Sequence, residues 1–291
     1  MTPDPIRIAS DYNRGLPLPV RFVHVAMAAL SSVVAPVLRW TGGAGRRDWA
    51  RPLLWGIVAV AVLLPFDAWI ASLVTADGSR GSLPLGGDVR RELEALQQFG
   101  QGASIVLIAA TMWLLDPLRR RRLLDWLAAI VVAGLACVAA KALFGRTRPF
   151  LDEAGMFVGP FGAYPLAPGE PFLRSWQVWR SEASRLWSMP SSHTAYAVVA
   201  AVFLSAMYPR LRPLVWTLAS VVALARIALG AHYPADVAAG WAVGLATARP
   251  AVRRGWGVRA IDWAWRRAVN PNATPAWKPE DSGTARAERR S

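Results

Sequence analysis

Residues 126–149 read WLAAIVVAGLACVAAKALFGRTRP. From Trp126 to Phe144 the run is apolar except for Lys141, and it approaches the roughly 20 residues that a membrane-spanning helix needs. It then breaks into cations, with Arg148 standing before Pro149. Lys141 is one of only two lysines among 33 basic residues. An apolar span with a cationic rim is the pattern from which the rest of the chain is read.

Working outward, residues 53–74, 192–208 and 214–230 are comparable apolar windows. Residues 99–115 and 237–248 are shorter and span only by borrowing flanking residues. These windows predict an all-α, polytopic membrane helical bundle of about six transmembrane helices. Composition agrees: of 291 residues, 54% are hydrophobic and only 18% charged, which suits a membrane protein.

A net charge of +14 raises nucleic acid as a partner, but the distribution of charge argues against it. Arg39, Arg46, Arg47 and Arg51 precede the first window. Arg119, Arg120, Arg121 and Arg122 fill the next basic connection, Arg210 and Arg212 a later one, and Arg249, Arg253, Arg254 and Arg259 follow the last. Arginine thus recurs on every second connection, the positive-inside pattern. The intervening segments 77–100 and 150–187 are close to charge-balanced. The excess charge is an orientation signal and an anchor for anionic lipid, and no nucleic acid is expected. The single cysteine, Cys137, lies in an apolar run and is read as packing.

The chain divides into a cytoplasmic N-terminal tail over 1–50, a transmembrane domain over 51–250 and a cytoplasmic, largely disordered tail over 251–291. Residues 1–18 are polar and proline-rich, without the apolar core of a signal peptide. Residues 22–38 are apolar but flanked by Arg21 and Arg39, which suits an interfacial or re-entrant helix. His24 lies there. In 89–99, Val89, Leu93, Leu96 and Phe99 share one face opposite Arg90, Arg91, Glu92 and Gln97. That segment reads either as an amphipathic surface helix or as an extension of the span after it. In the connection 150–187, Trp176, Trp179 and Trp187 mark an interface or a lid. Asp67, inside the first span, has no explanation in the sequence beyond a pairing with a site arginine or a shallow position.

Three clusters carry chemistry. Lys141 and Arg148 are seven residues apart, two helical turns if the helix persists to Thr147. Arg148 can grip phosphate oxygens bidentately, whereas Lys141 acts as a point charge. Pro190-Ser191-Ser192-His193 directly precedes an apolar helix, so free first-turn N–H groups and the Ser191 hydroxyl make an anion site. Arg226 interrupts an apolar span, which is a functional hypothesis by default. His232 and Asp236 follow at i, i+4, with Pro234 suited to opening the next helix. A carboxylate there can hold one imidazole nitrogen and leave the other free to attack. With the arginine-rich connections inside, all three clusters fall on the outer face. His193, His232 and Asp236 could also form a metal face, but three cations aimed at one place repel a metal ion and attract phosphate.

The patterns Lys141-x6-Arg148-Pro149, Pro190-Ser191-Ser192-His193 and Arg226-x5-His232-x3-Asp236 resemble the three-part signature of the type 2 phosphatidic acid phosphatase superfamily, in its membrane lipid phosphatase branch. The motifs span 141–236, and the layout of spans extends the resemblance over about 50–250. Two departures stand out. Ser192 occupies a position usually held by glycine, and Ala225 one where serine commonly precedes the arginine.

The resemblance implies that 51–250 is a metal-independent phosphatase domain needing no cofactor. His232 is then the nucleophile that forms a phospho-histidine, oriented by Asp236. His193 protonates the leaving oxygen and then activates water. Lys141, Arg148, Arg226, Ser191 and Ser192 hold the phosphoryl oxygens. The two histidines begin in opposite states, neutral at 232 and protonated at 193, which predicts a bell-shaped pH–rate profile.

The implied partners are the bilayer and a phosphorylated lipid: undecaprenyl pyrophosphate first, then phosphatidylglycerophosphate, phosphatidate or lipid A. Oligomeric state stays open. The implied location is a bacterial inner membrane with the site facing outward. Two alternatives share the fold: a lipid-to-lipid phosphotransferase using the same site, and a catalytically silent phospholipid-binding membrane protein. A soluble haloperoxidase, also within the superfamily, does not fit a site set on membrane helices.

Overall fold

The computed structural model describes residues 47–75, 86–151, 155–165 and 172–269. The chain falls into two units, Met1–Arg47 and Asp48–Ser291. All but Arg47 of the first, including the expected interfacial helix at 22–38 and His24, lies outside the described residues. The second unit is helical, and among the described residues it contains isolated bridges but no strand.

Helix α1 (Ala50–Leu63) runs through a 3-10 turn into α2 (Asp67–Thr75). Helix α3 (Gly87–Leu96) ends in a 3-10 turn at Gln97–Gly100, and α4 (Gly102–Leu115) follows at a bend of 59°. Helix α5 (Leu123–Phe144) is the long apolar helix of the quoted stretch. After the irregular connection come α6 (Ser192–Met207), α7 (Arg212–Ala228), α8 (Pro234–Arg254) and α9 (Trp256–Ala268).

Three of these stretches, Ala50–Val74, Pro117–Phe144 and Pro209–Ala228, are long and apolar enough to cross a membrane. The bent α3–α4 pair makes up to a fourth, and α6 is apolar but shorter. Large apolar side chains such as Ile57, Leu107, Leu114, Leu135 and Leu224 point away from the protein core on these helices. Water would penalise such surfaces, whereas lipid tails cover them at no cost.

Helix α8 sits at the centre, packed on α6, α1 and α5. Its small residues allow this. A Cβ on Gly240 would fall 2.3 Å from the Ser191 carbonyl oxygen, and one on Gly244 would fall 2.6 Å from that of Ala195. The Gly-x3-Gly spacing puts both on one face, so the α6 and α8 backbones touch. Beneath this contact, Trp126 of α5 stacks on Phe203 of α6 at 5.1 Å between ring centroids, inside a core that includes Val199, Val215 and Val222.

The end of the bundle where α5 begins is held by polar ties. Asp125 is buried, pairs with Arg122 at 2.8 Å and accepts from the Val258 N–H at 3.0 Å. Arg121 pairs with Asp262, and Arg253 with Asp48 at 2.5 Å.

The structure sets two boundaries. Residues 251–254 and 256–268, which the sequence reading put at the start of a largely disordered tail, are helical. Arg253 and Arg254 close α8, Gly255 turns the chain at φ 63°, and α9 packs on α5. The tail beyond 269 lies outside the described residues. Helix α5 also does not persist to Thr147. It stops at Phe144 because Gly145 adopts φ 54° and returns its N–H to the Lys141 carbonyl, the left-handed ending that glycine favours.

Candidate active site

Four helix ends meet at the opposite end of the bundle. Lys141 lies in the last turn of α5, Ser191 caps α6 with Ser192 and His193 in its first turn, Arg226 is in the last turn of α7, and Asp236 is in the first turn of α8. Arg148 and His232 come from the connections beside them.

Each position follows from local sequence. Ser191 is extended, and its side chain accepts from the Thr194 N–H at 3.5 Å and the Thr194 hydroxyl at 3.0 Å. Its own proton is thereby left to donate. Pro234 opens α8 as expected for proline at a first helical position. Between α7 and α8 the chain reverses at Gly230 (φ 63°), and the N–H groups of Ala231 and His232 both return to the Arg226 carbonyl at 3.1 Å. These two hydrogen bonds to one carbonyl hold the backbone at His232 against the end of α7.

His232 is buried. Its Nδ1 stands 3.6 Å from Oδ2 of Asp236, too long for a hydrogen bond, and has no other partner among the described residues. Burial, reinforced by the charges of Arg148 and Arg226, pushes the imidazole down to about 3, against the opposing pull of Asp236. The ring is therefore neutral at physiological pH, the state in which a nitrogen lone pair can attack.

Asp236 is itself immobilised. Its Oδ2 accepts from the Ser188 hydroxyl at 2.5 Å and the Tyr233 N–H at 2.9 Å, and its Oδ1 from Arg146 Nη1 at 2.7 Å. Arg146 gives its other Nη to Asp67 at 2.8 Å, and Asp67 also accepts the Ala235 N–H at 3.1 Å. The Arg146 guanidinium lies against the rings of Tyr233 and Phe157 at 4.1 and 4.9 Å, a favourable cation–ring contact. Burial, helped by the Asp236 and Asp67 carboxylates and opposed by the Arg146 charge, raises the Tyr233 phenol above its ordinary value.

The remaining cations are also fixed. Lys141 Nζ donates to Ser192 Oγ at 2.7 Å. Arg148 donates through Nε to the Ser184 carbonyl at 2.8 Å and through Nη1 to that of Ala231 at 3.5 Å. Arg226 is buried and donates from Nη1 to Gln97 Oε1 at 2.5 Å, while its Nε has no partner among the described residues. His193 Nε2 is 2.7 Å from the Gln101 side-chain nitrogen.

All eight residues singled out in the sequence gather at this end of the bundle. Five further ones were not assigned there: Arg146, Asp67, Ser188, Gln97 and Gln101. Gln97 had been put on a polar outer face; it is instead buried against Arg226, because the 3-10 turn rotates it inward. Arg146 had a signal, a third cation wedged between Gly145 and Arg148. Ser188 and Gln101 had none. Among the described residues, no group of three His, Cys, Asp or Glu side chains is placed to hold a metal ion.

Converging helix ends that present cations and imidazoles to one point have the chemistry to hold a phosphoryl group and to attack it. The sequence profile of the PAP2 superfamily matches residues 122–259. A decaprenylphosphoryl-5-phosphoribose phosphatase of Mycolicibacterium smegmatis is 32% identical over 147 residues, covering 50% of this chain and 68% of that one. A lipid A 1-phosphatase of Rhizobium johnstonii is 25% identical over 222 residues, covering 68% of this chain and 82% of that one.

Among solved structures, Aquifex aeolicus LpxE aligns at a TM-score of 0.47 with 16% identity, over 65% of this chain and 95% of that one. A PAP2-type phosphatidylglycerolphosphate phosphatase from Bacillus subtilis aligns at 0.47 with 20% identity, over 75% and 97%. The chain belongs to the PAP2 superfamily, as a phosphatase.

Proposed function

We propose that the chain hydrolyses a phosphate monoester or pyrophosphate carried by a membrane lipid, through a phospho-histidine. The observation that carries this reading is the pairing of a neutral, buried His232 with an Asp236 carboxylate locked by Arg146, Ser188 and Tyr233. With Nδ1 facing the carboxylate, Nε2 is the atom left to attack phosphorus.

In the first step the His232 Nε2–phosphorus bond forms and the bond to the lipid oxygen breaks, with His193 giving that oxygen a proton. In the second, His193 takes a proton from water, which attacks phosphorus and releases His232 and inorganic phosphate. Lys141, Arg148 and Arg226, with the Ser191 hydroxyl and the α6 first-turn N–H groups, hold the three phosphoryl oxygens as charge develops. Ser192 takes part through its hydroxyl, which already accepts from Lys141.

The same reading covers topology. Six spans are proposed: α1–α2, α3–α4, α5, α6, α7 and α8, within a transmembrane domain of about 51–250. Arg119 to Arg122 precede α5 and Arg210 and Arg212 flank the start of α7, at the end of the bundle away from the site. Arginine-rich connections inside then put the site on the outer side of a bacterial inner membrane.

The relatives' names, a lipid A phosphatase and a decaprenylphosphoryl-sugar phosphatase, support a lipid-anchored phosphate as substrate. Undecaprenyl pyrophosphate remains the first candidate, with lipid A, phosphatidylglycerophosphate and phosphatidate beside it. Purified protein incubated with each lipid, with and without chelator, should release phosphate from at least one and be indifferent to chelator. Absence of release from all of them, or loss of release on chelation, would overturn the reading.

A further inference from the structure

The break between α3 and α4 is seated on the reactive end of the bundle. Three observations place it there independently. Gln97 accepts from Arg226 Nη1 at 2.5 Å, and Gln101 contacts His193 Nε2 at 2.7 Å. Between them, a Cβ on Gly100 would fall 2.2 Å from the His193 carbonyl oxygen. The 59° bend is what lets one segment reach both α6 and α7. A straight helix would carry Gln97 and Gln101, four residues apart, along one stripe toward one neighbour.

We propose that residues 97–101 form a fourth part of the site, in which Gln97 positions Arg226 and Gln101 positions His193. The inference rests on the phosphatase roles given above to those two residues.

The chemistry explains why both are amides. Arg226 must keep its positive charge for the phosphoryl group. A neutral acceptor fixes the guanidinium without neutralising it, whereas a carboxylate would compete with the substrate for the same charge. His193 must surrender a proton to the leaving oxygen. A carboxylate partner would stabilise the imidazolium and hold that proton back, but an amide orients the ring without doing so. His232 has the opposite task and faces the opposite partner, Asp236.

The charged and titratable groups facing His193 are Lys141 from α5, Arg148 from the following connection, Arg226 from α7 and His232 from the α7–α8 connection. All but His232 are cations, so a carboxylate at 101 would set an anion directly on the ring.

The test uses the full-length protein, purified in detergent, as wild type, Gln97→Glu, Gln101→Glu, Gln101→Leu and Gln98→Glu. Gln98 is exposed on the same turn, and its side chain donates to the Glu94 carbonyl at 3.4 Å, away from both site residues, so its variant is the control. Steady-state phosphate release is measured across pH 5–9, together with stabilisation against heat by inorganic phosphate or orthovanadate.

Gln97→Glu should raise KM about tenfold and weaken stabilisation by phosphate, with a smaller effect on kcat. Gln101→Glu should move the alkaline limb of kcat to higher pH by about one unit. Gln101→Leu should lower kcat about tenfold without moving that limb. Gln98→Glu should match wild type.

Wild-type parameters in the three site variants would overturn the proposal. So would equal losses of kcat, KM and thermal stability in every variant, which a merely structural role produces. A wild type that turns over no lipid overturns the phosphatase reading instead. The response of Gln97→Glu to phosphate and orthovanadate still tests the Arg226 contact in that case: weakened stabilisation supports it and unchanged stabilisation sinks it.

Discussion

Arg146 and Asp236 form a buried ion pair, Nη1 to Oδ1 at 2.7 Å, with both side chains almost wholly removed from solvent. The same guanidinium reaches Asp67 at 2.8 Å, so a single cation serves two buried carboxylates. Breaking a buried pair by removing one partner leaves uncompensated charge, at a cost of about 3–5 kcal/mol. Arg146→Met strands two carboxylates and should lower thermal stability in detergent severely. Asp67→Asn keeps an acceptor for the Ala235 N–H and leaves the Arg146–Asp236 pair intact, so it should be milder in stability while lowering kcat. An Arg146→Met protein that melts with wild type would show the network to be idle.

The state of His232 sets a second expectation. Its folded value is depressed to about 3 by burial, against 6.5 in an unfolded chain. The unfolded chain therefore binds the proton first as pH falls. The stability contributed by the neutral ring is complete above about pH 6.5 and is lost between there and about 3. His232→Asn should abolish phosphate release while removing that part of the acid destabilisation, read from melting temperatures at pH 7 and pH 4.5. The same depression moves the acid limb expected from the motifs to lower pH. The acid limb of kcat/KM should not appear near 6.5, and a limb there would count against the neutral buried ring.

The residues proposed to meet the phosphate were legible because each is a polar group at the rim of an apolar run, where lipid makes an idle charge expensive. Their supports were not. Helical periodicity put Gln97 on a polar face, and periodicity cannot distinguish a polar face turned to water from one turned to a site. Asp67 could be flagged as costly, but its partners depend on α2 crossing beside the start of α8, which no local pattern encodes. The Gly145 ending of α5 was within reach of sequence rules: the apolar window already closed at Phe144, and Lys141 and Arg148 shared one helical face only on the condition that the helix ran on to Thr147. For the tail, net polarity hid the short helix α9, whose stability comes from docking on α5 through Asp262 and the Val258 N–H.

Ser192 stands where the family pattern usually has glycine, and its hydroxyl takes a bond from Lys141 at 2.7 Å. Ser192→Gly removes that bond but keeps the first-turn N–H and frees the ammonium for phosphate. Activity should stay within about threefold of wild type. Lys141→Met removes a charge that has no substitute at that position, and kcat should fall about 10²- to 10³-fold. Phosphate-release kinetics on the two variants check this. A larger loss in Ser192→Gly than in Lys141→Met would make the serine, and not the lysine, the phosphate ligand.

Close approach of α6 and α8 gives the last prediction. A Cβ on Gly240 would fall 2.3 Å from the Ser191 carbonyl oxygen, backbone that cannot swing aside, whereas one on Gly102 meets nothing within 4 Å. Gly240→Ala must push the start of α6 away from α8. That moves Ser191, whose N–H donates to the Asp236 carbonyl at 3.0 Å, and with it His193. Overpacking of this kind costs about 1–3 kcal/mol, and the displacement should lower kcat beyond what stability alone explains. Gly102→Ala sits at the start of α4 in open space, and should be neutral or stabilising by about 0.4–1 kcal/mol through the unfolded chain. Melting temperature and kcat measured on both variants separate the effects: Gly240→Ala should lose both, Gly102→Ala neither. A Gly240→Ala protein with full activity would mean that the α6–α8 contact does not set the geometry of the site.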